Sequence, residues 1–278
     1  MRILVTGHRG NVGGFVAEEL ARRGHEVVGF DLVCGDDLLD ADAVRRAAHG
    51  CDALVHLAAL AHDTAGSPER IMAVNVLGTW HVLLAAEAAR VRRVVHFSSG
   101  QVFGIADGER LPGYFPVDDA HPRLAMRPYG LSKKLGEDLC SAFTERTGVP
   151  TVVLRPGWVW DPGMYSRIAS EWAASPRSEW SPHWEFGQFV DVRDVATAAS
   201  LALEVPLTGH HRMLLCSADI AATAPTLQMA ARHAPSVPVR DRADYKREPW
   251  RALLDCSVAE RVLGWRPAHS WAGRGQLS

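Results

Sequence analysis

Tyr129 and Lys133 stand four residues apart in Tyr129-Gly130-Leu131-Ser132-Lys133, and Ser99 follows the apolar run Val94-Val95-His96-Phe97. On a helix, positions i and i+4 share one face, one turn apart. A phenol has a reference pKa of about 10 and is a poor base at neutral pH. A neighbouring ammonium and a cationic ring both favour the phenolate. Bringing it down to about 7 corresponds to roughly 4 kcal/mol of differential interaction. Such a phenolate can take the proton of an alcohol while a serine hydroxyl holds the same oxygen. The chemistry is oxidation of a hydroxyl-bearing carbon, or its reverse. Ordinary amphipathic helices also contain Tyr-x-x-x-Lys, so the pattern gains meaning only beside a hydride acceptor.

A site for that acceptor opens the chain. Ile3-Leu4-Val5 runs into Thr6-Gly7-His8-Arg9-Gly10-Asn11-Val12-Gly13, with glycine at every third position. Gly7 allows a sharp turn after the strand. Missing side chains let a pyrophosphate approach the next helix's N-terminus, where free N–H groups and the helix dipole favour anions. Gly13 allows close packing of helix on strand. The expected contacts are Gly7, Arg9, Gly10, Asn11, Val12 and Gly13. Asp31 stands 18 residues after Gly13, near the usual ~20 for the acid that binds the adenosine ribose. Its carboxylate repels a 2′-phosphate, which favours NAD. Arg9 could reach such a phosphate, so NADP stays open.

These residues need a frame, and the apolar pattern supplies one. Strands are expected at 3–5, 26–30, 53–57, 94–97 and 151–154. Helices are expected at 12–23, 42–49, 69–90 (interrupted around Asn75 and Gly78) and 129–147. Strand alternating with helix predicts an α/β fold, a Rossmann-type doubly wound parallel sheet with ligands at the strands' C-terminal edge. After Pro156 the rhythm breaks, and Trp158, Trp160, Trp172, Trp180 and Trp184 crowd a short stretch. Phe189–Val192 then reads as a strand and Asp194–Leu203 as a helix. The expected division is 1–157 plus 188–204 as the dinucleotide-binding domain. Residues 158–187 plus 205–278 form a small, discontinuous substrate-binding lobe. The tryptophans form either a substrate-stacking wall or that lobe's own core. His183 and Arg247 are further substrate contacts to test.

Composition narrows the classes. The 278 residues carry 30 Lys+Arg against 32 Asp+Glu, a net charge of −2. That balance offers no electrostatic footprint for nucleic acid or a membrane surface. Five cysteines without a Cys-x-x-Cys and 13 scattered histidines point to reduced thiols and no metal site. No signal peptide or membrane span is legible, so a cytoplasmic location is expected.

Taken together, the motifs resemble those of the extended short-chain dehydrogenase/reductase family, also called the NAD-dependent epimerase/dehydratase family. Thr6–Gly13 is similar to its cofactor loop, and Asp37-Leu38 to its adenine-contacting pair. His56-Leu57-Ala58-Ala59 resembles a strand end that lines the cofactor, and Asn75-Val76-Leu77-Gly78-Thr79 its Asn-Val-x-Gly-Thr helix. Ser98-Ser99-Gly100-Gln101-Val102-Phe103-Gly104 matches its Ser-Ser-x-x-Val-Tyr-Gly segment, with Ser99 at the catalytic position. Leu154-Arg155-Pro156-Gly157 resembles the segment beside the nicotinamide, and Leu263-Gly264-Trp265-Arg266-Pro267 its Leu-Gly-Trp-x-Pro.

The resemblance implies Ser99, Tyr129 and Lys133 as the catalytic set. It adds Asp37, Leu38, Leu57, Ala58, Ala59, Asn75, Phe97, Tyr129, Lys133, Pro156 and Gly157 to the cofactor contacts. Gly100-Gln101 stands where the family's dehydratases carry Asp-Glu, which argues against dehydration. The expected function is an NAD(P)-dependent oxidoreductase acting on a sugar-like hydroxyl or keto carbon, with a sugar or nucleotide sugar as substrate. The alternatives are a UDP-sugar 4-epimerase with tightly bound NAD and a catalytically silent NAD(P)-binding sensor. A homodimer through the helices around Thr79 and Lys133 is expected.

Overall fold

Residues 1–105, 110–174 and 186–272 are described by the computed structural model. The short apolar runs become strands: β1 (Arg2–Thr6), β2 (Glu26–Phe30), β3 (Ala53–His56), β4 (Val94–Phe97) and β5 (Thr151–Pro156). With β8 (His210–Leu215) they make a six-stranded parallel sheet in the order β2-β1-β3-β4-β5-β8. The order reverses at β1, between β2 and β3. In such sheets the crevice beyond the strand C-termini at this point binds ligands.

Helices cover both faces. On one lie α1 (Asn11–Arg22) and α7 (Val192–Glu204), packed on Ile3, Val5, Val55, Val95 and Val152. On the other lie α2 (Ala41–Ala48), α4 (Gly78–Ala88) and α5 (Pro128–Thr147), which enclose Leu4, Leu54, Val94 and Val153. The expected interruption near Asn75 is a π-helical turn, Ala73–Leu77, between α3 (Pro68–Met72) and α4. The stretch Pro68–Ala88 is long and apolar enough to cross a membrane. Here its apolar residues Val82, Leu83, Ala85 and Ala86 are core, packed with α2 and α5.

Two expectations about the second half change. Phe189–Val192 is no strand of the main sheet. Only Val190–Asp191 (β7) is extended, and it pairs with β6 (Val159–Trp160) in a separate two-stranded sheet. Val192 already opens α7, because the Asp191 carboxylate caps that helix by accepting from the Arg193 N–H. The run 205–278 also does not lie wholly in the second lobe. β8 completes the main sheet, and α10 (Ser257–Leu263) with Trp265 packs into the core under α7. The Trp265 indole N–H donates to the Asp194 carbonyl at 2.8 Å. β8 reads poorly because only its second half, Met213–Leu215, is fully buried.

Outside these layers, α6 (Pro162–Ala174), α8 (Thr226–His233), α9 (Arg242–Arg247) and the loops around Phe115 and Leu253 pack into two further apolar clusters. Trp160 and Trp172 are buried with Tyr165 and Phe189, so these tryptophans are core. Trp180, Trp184 and His183 lie outside the described residues.

Candidate active site

A cleft of about 700 Å³ runs along the C-terminal edge of the sheet. Its floor is the turn after β1. Gly7 has φ +74°, and a Cβ there would meet the Ala58 backbone N at 2.7 Å. A Cβ on Gly13 would lie 1.9 Å from the Gly7 carbonyl oxygen. Only glycine lets the turn, β3 and α1 approach this closely. Gly10 caps α1 with no side-chain hydrogen bond, so the first-turn N–H groups take no partner from a capping side chain. Such N–H groups suit a pyrophosphate.

Asp31, 9 % exposed just past the end of β2, lines one end of the cleft. Its carboxylate accepts from the Arg9 N–H (2.9 Å) and the Val33 N–H (3.1 Å). The acid is thereby fixed against the glycine turn, on the cleft wall. Leu32 and Val33, exposed on the following short 3-10 turn, also line the cleft. Asp37 and Leu38 line it too. The Leu38 carbonyl accepts from His81 Nδ1 at 2.8 Å, so its backbone oxygen is already engaged.

The other end of the cleft brings together the residues expected to be catalytic. Ser99, at the exit of β4, and Tyr129 and Lys133, on α5, all line it, with Phe97, Pro156 and Gly157 beside them. The Lys133 ammonium donates to the Phe97 carbonyl at 2.8 Å and lies 5.8 Å from the centre of the Tyr129 ring. Burial pushes it down to about 8. The Ser99 hydroxyl accepts from the Gln101 N–H at 3.2 Å, capping the 3-10 turn Gly100–Phe103.

Of the expected cofactor contacts, Asn75 is the one not on the cleft wall. It sits in the π turn, 3 % exposed. Its side chain accepts from the Leu60 N–H (2.8 Å) and donates to the Leu60 carbonyl (3.0 Å) and the Ser132 hydroxyl (2.9 Å). Ser132 in turn donates to the Tyr129 carbonyl at 2.7 Å. Asn75 therefore joins the loop after β3 to the first turn of α5. The wider helical turn supplies the geometry, as π turns often do at functional sites.

A second tie comes from Asp63, whose carboxylate accepts from the Tyr129 N–H at 2.8 Å. It caps a helix that has no cap of its own at Arg127. Asp63 has no mark in the sequence, whereas Gln101 stands out there as the departure from Asp-Glu and Trp158 as one of the clustered tryptophans. Gln101 and Trp158 line the cleft near Ser99 and Gly157. Arg247 sits on α9 in an exposed pair with Asp244, outside the cleft wall.

A buried polar chain links both ends. Thr79 donates to the Asn75 carbonyl at 2.6 Å, so it must accept from His56 Nε2 at 3.0 Å. His56 Nδ1 then accepts from Thr6 at 2.7 Å. Burial, with Lys133 nearby, holds His56 neutral at about 3.

The model of the NAD dependent epimerase/dehydratase family matches residues 3–215. The chain belongs to that family. Among relatives, it is 31% identical over 183 residues to the uronate dehydrogenase of Pseudomonas syringae, an alignment covering 62% of this chain and 64% of that enzyme. It is 28% identical over 296 residues to a putative UDP-glucose 4-epimerase of Methanocaldococcus jannaschii, covering 95% and 93%. Among solved structures, a short-chain dehydrogenase/reductase superfamily protein of Agrobacterium tumefaciens with bound NAD superposes with a TM-score of 0.74. The two are 25% identical, with 99% of this chain and 95% of that one covered. The extended short-chain dehydrogenase/reductase fold thus spans the glycine turn, Ser99 and α5 alike.

Proposed function

We propose that the protein is an NAD(P)-dependent oxidoreductase that moves a hydride between a sugar-like hydroxyl carbon and the nicotinamide. One observation carries the reading: Ser99, Tyr129 and Lys133 share a cleft wall with the Gly7–Gly13 turn and Asp31. The residues present fit the cofactor, since a Cβ on Gly7 or Gly13 would collide with backbone and spread the turn, whose bare backbone floors the cleft at the start of α1. The nicotinamide, when bound, supplies the hydride acceptor. Ser99 holds the substrate oxygen and Tyr129 takes its proton. Lys133 keeps the phenol acidic with a nearby positive charge and has two further N–H donors for a ribose. The uronate dehydrogenase relative supports a sugar or uronate as substrate.

The test is a reduction screen of free sugars, uronates and nucleotide sugars, with NAD and NADP side by side. Growth of the reduced cofactor's absorbance with one substrate class is expected. Interconversion of UDP-sugars by protein that copurifies with NAD, without net reduction, would replace this reading by the epimerase one. The near full-length likeness to a putative epimerase keeps that outcome in view.

NAD is the expected cofactor, because no basic residue flanks Asp31 at 32 or 33. Asp31→Asn keeps one acceptor oxygen for the Arg9 or the Val33 N–H, gives up the other, and removes the charge that repels a 2′-phosphate. The ratio of kcat/KM for NADP to that for NAD should rise by about tenfold or more, since 1.4 kcal/mol is a factor of ten. An unchanged ratio would mean the carboxylate does not face the ribose.

The same reading includes a homodimer in the cytoplasm. Five free cysteines fit a reducing compartment. Leu77 at the end of the π turn, Trp80 on α4 and Leu135 on the neighbouring α5 are exposed, and an aromatic anchor with leucines suits a helix-on-helix interface. Trp80→Glu should shift sedimentation from dimer to monomer at micromolar concentration. Sedimentation as a dimer regardless would place the interface elsewhere.

A further inference from the structure

Beneath the cleft lies an ion cluster that the proposed chemistry does not use. Glu137 is fully buried on α5, and so is Arg155 on β5. Arg155 donates to both Glu137 oxygens, Nε at 2.8 Å and Nη2 at 2.6 Å, and its Nη1 donates to Asp119 at 3.0 Å. Asp119 accepts from the Leu214 N–H at 3.1 Å, and Arg123 adds a bond to Glu137 at 3.2 Å. A buried bidentate pair of this kind costs desolvation and is no ready source of stability. It does fix a carboxylate in place.

What that carboxylate holds is the Ser98 hydroxyl, which donates to Glu137 at 2.7 Å. Tyr129, Lys133 and Glu137 fall at i, i+4 and i+8 on α5, so one face presents all three. Lys133 grips the Phe97 carbonyl and Glu137 grips Ser98, the next residue. Two successive turns of the helix that carries Tyr129 thus clamp two successive residues at the end of β4. The residue after them is Ser99.

We propose that Ser98 is a positioning residue: through Glu137, fixed by Arg155, it sets the Ser99 hydroxyl relative to Tyr129. This rests on the hydride-transfer reading for its catalytic consequence, but not for its geometry. A misplacement of about 1 Å can cost 10²-fold in rate. Ser98→Ala removes one hydroxyl and leaves the Glu137–Arg155 pair intact.

The experiment measures kcat, KM and amide exchange across the Phe97–Gly104 segment in the parent and in Ser98→Ala. The expected result is kcat lower by about 10- to 100-fold, KM for cofactor within about twofold, and faster exchange of the segment, including the Gln101 N–H that Ser99 holds. A fall in melting temperature with kcat unchanged overturns the proposal, because the bond is then only structural. A lower kcat with unchanged exchange overturns it too. If the parent turns over nothing in the substrate screen, the hydride reading fails on its own. The exchange arm then decides alone: faster exchange supports the clamp, and parental exchange refutes it.

Discussion

Tyr129→Phe is expected to lower turnover by about 10³-fold while leaving cofactor affinity within about twofold, the size of effect set by losing a positioned proton acceptor. The substitution is unusually clean here. The side chain is 8 % exposed, so a phenyl ring keeps its packing. The backbone of Tyr129 is held by groups the change does not touch, Asp63 on its N–H and Ser132 on its carbonyl. Only the phenol oxygen disappears, and with it the proton acceptor proposed beside Ser99, while Lys133 stays on the cleft wall. Steady-state rates with the substrate found in the screen, and a fluorescence titration of NAD, measure both halves. A variant that turns over as fast as its parent would leave Tyr129 a packing residue and return the silent-sensor reading.

The second large effect runs in two directions. Lys133→Met should lower turnover by about 10³-fold, since it loses both the charge that favours the phenolate and a ribose donor. At neutral pH it should nevertheless be about as stable as the parent, or slightly more so. Burial pushes the Lys133 ammonium from 10.5 to about 8, a displacement that corresponds to about 3 kcal/mol of cost for the charged form. Losing the bond to the Phe97 carbonyl offsets about 1–2 kcal/mol of that gain. Between about pH 8 and 10.5 the unfolded chain holds more protons than the folded one, so the parent gains stability as pH rises through this window. Below about 8 both states carry the proton and the cost is present in full. Urea unfolding at about pH 7 and about pH 9.5 should therefore show a stability gain for the parent. That part of the gain should be missing from Lys133→Met. Equal pH slopes would mean that Lys133 is solvated as an ordinary ammonium.

The residues that face the cleft were readable from sequence because each does its work through type and spacing. The glycine turn must lack side chains, Asp31 must be acidic at a strand end, and Tyr129 and Lys133 must share a helix face. The supporting residues were harder to see. Asp63 acts through one bond to a backbone N–H 66 positions away, and a loop aspartate has no local signature for that. Asn75 was recognised by its motif, yet its amide is spent on Leu60 and Ser132 rather than at the cleft wall. A π turn leaves no clear mark on apolar periodicity. β8 was missed because an edge strand with His210, His211 and Arg212 at its start lacks a buried run of strand length. The packing of Trp265 under α7 depends on partners 71 residues apart, which spacing alone cannot supply.

The path of the hydrogen itself is the most direct test. A substrate found in the screen, deuterated at its hydroxyl-bearing carbon, would be turned over with NAD and the reduced cofactor weighed by mass spectrometry. One deuterium is expected in the reduced cofactor and none in the solvent. Deuterium released to water, with the cofactor unlabelled, would contradict hydride transfer at this site.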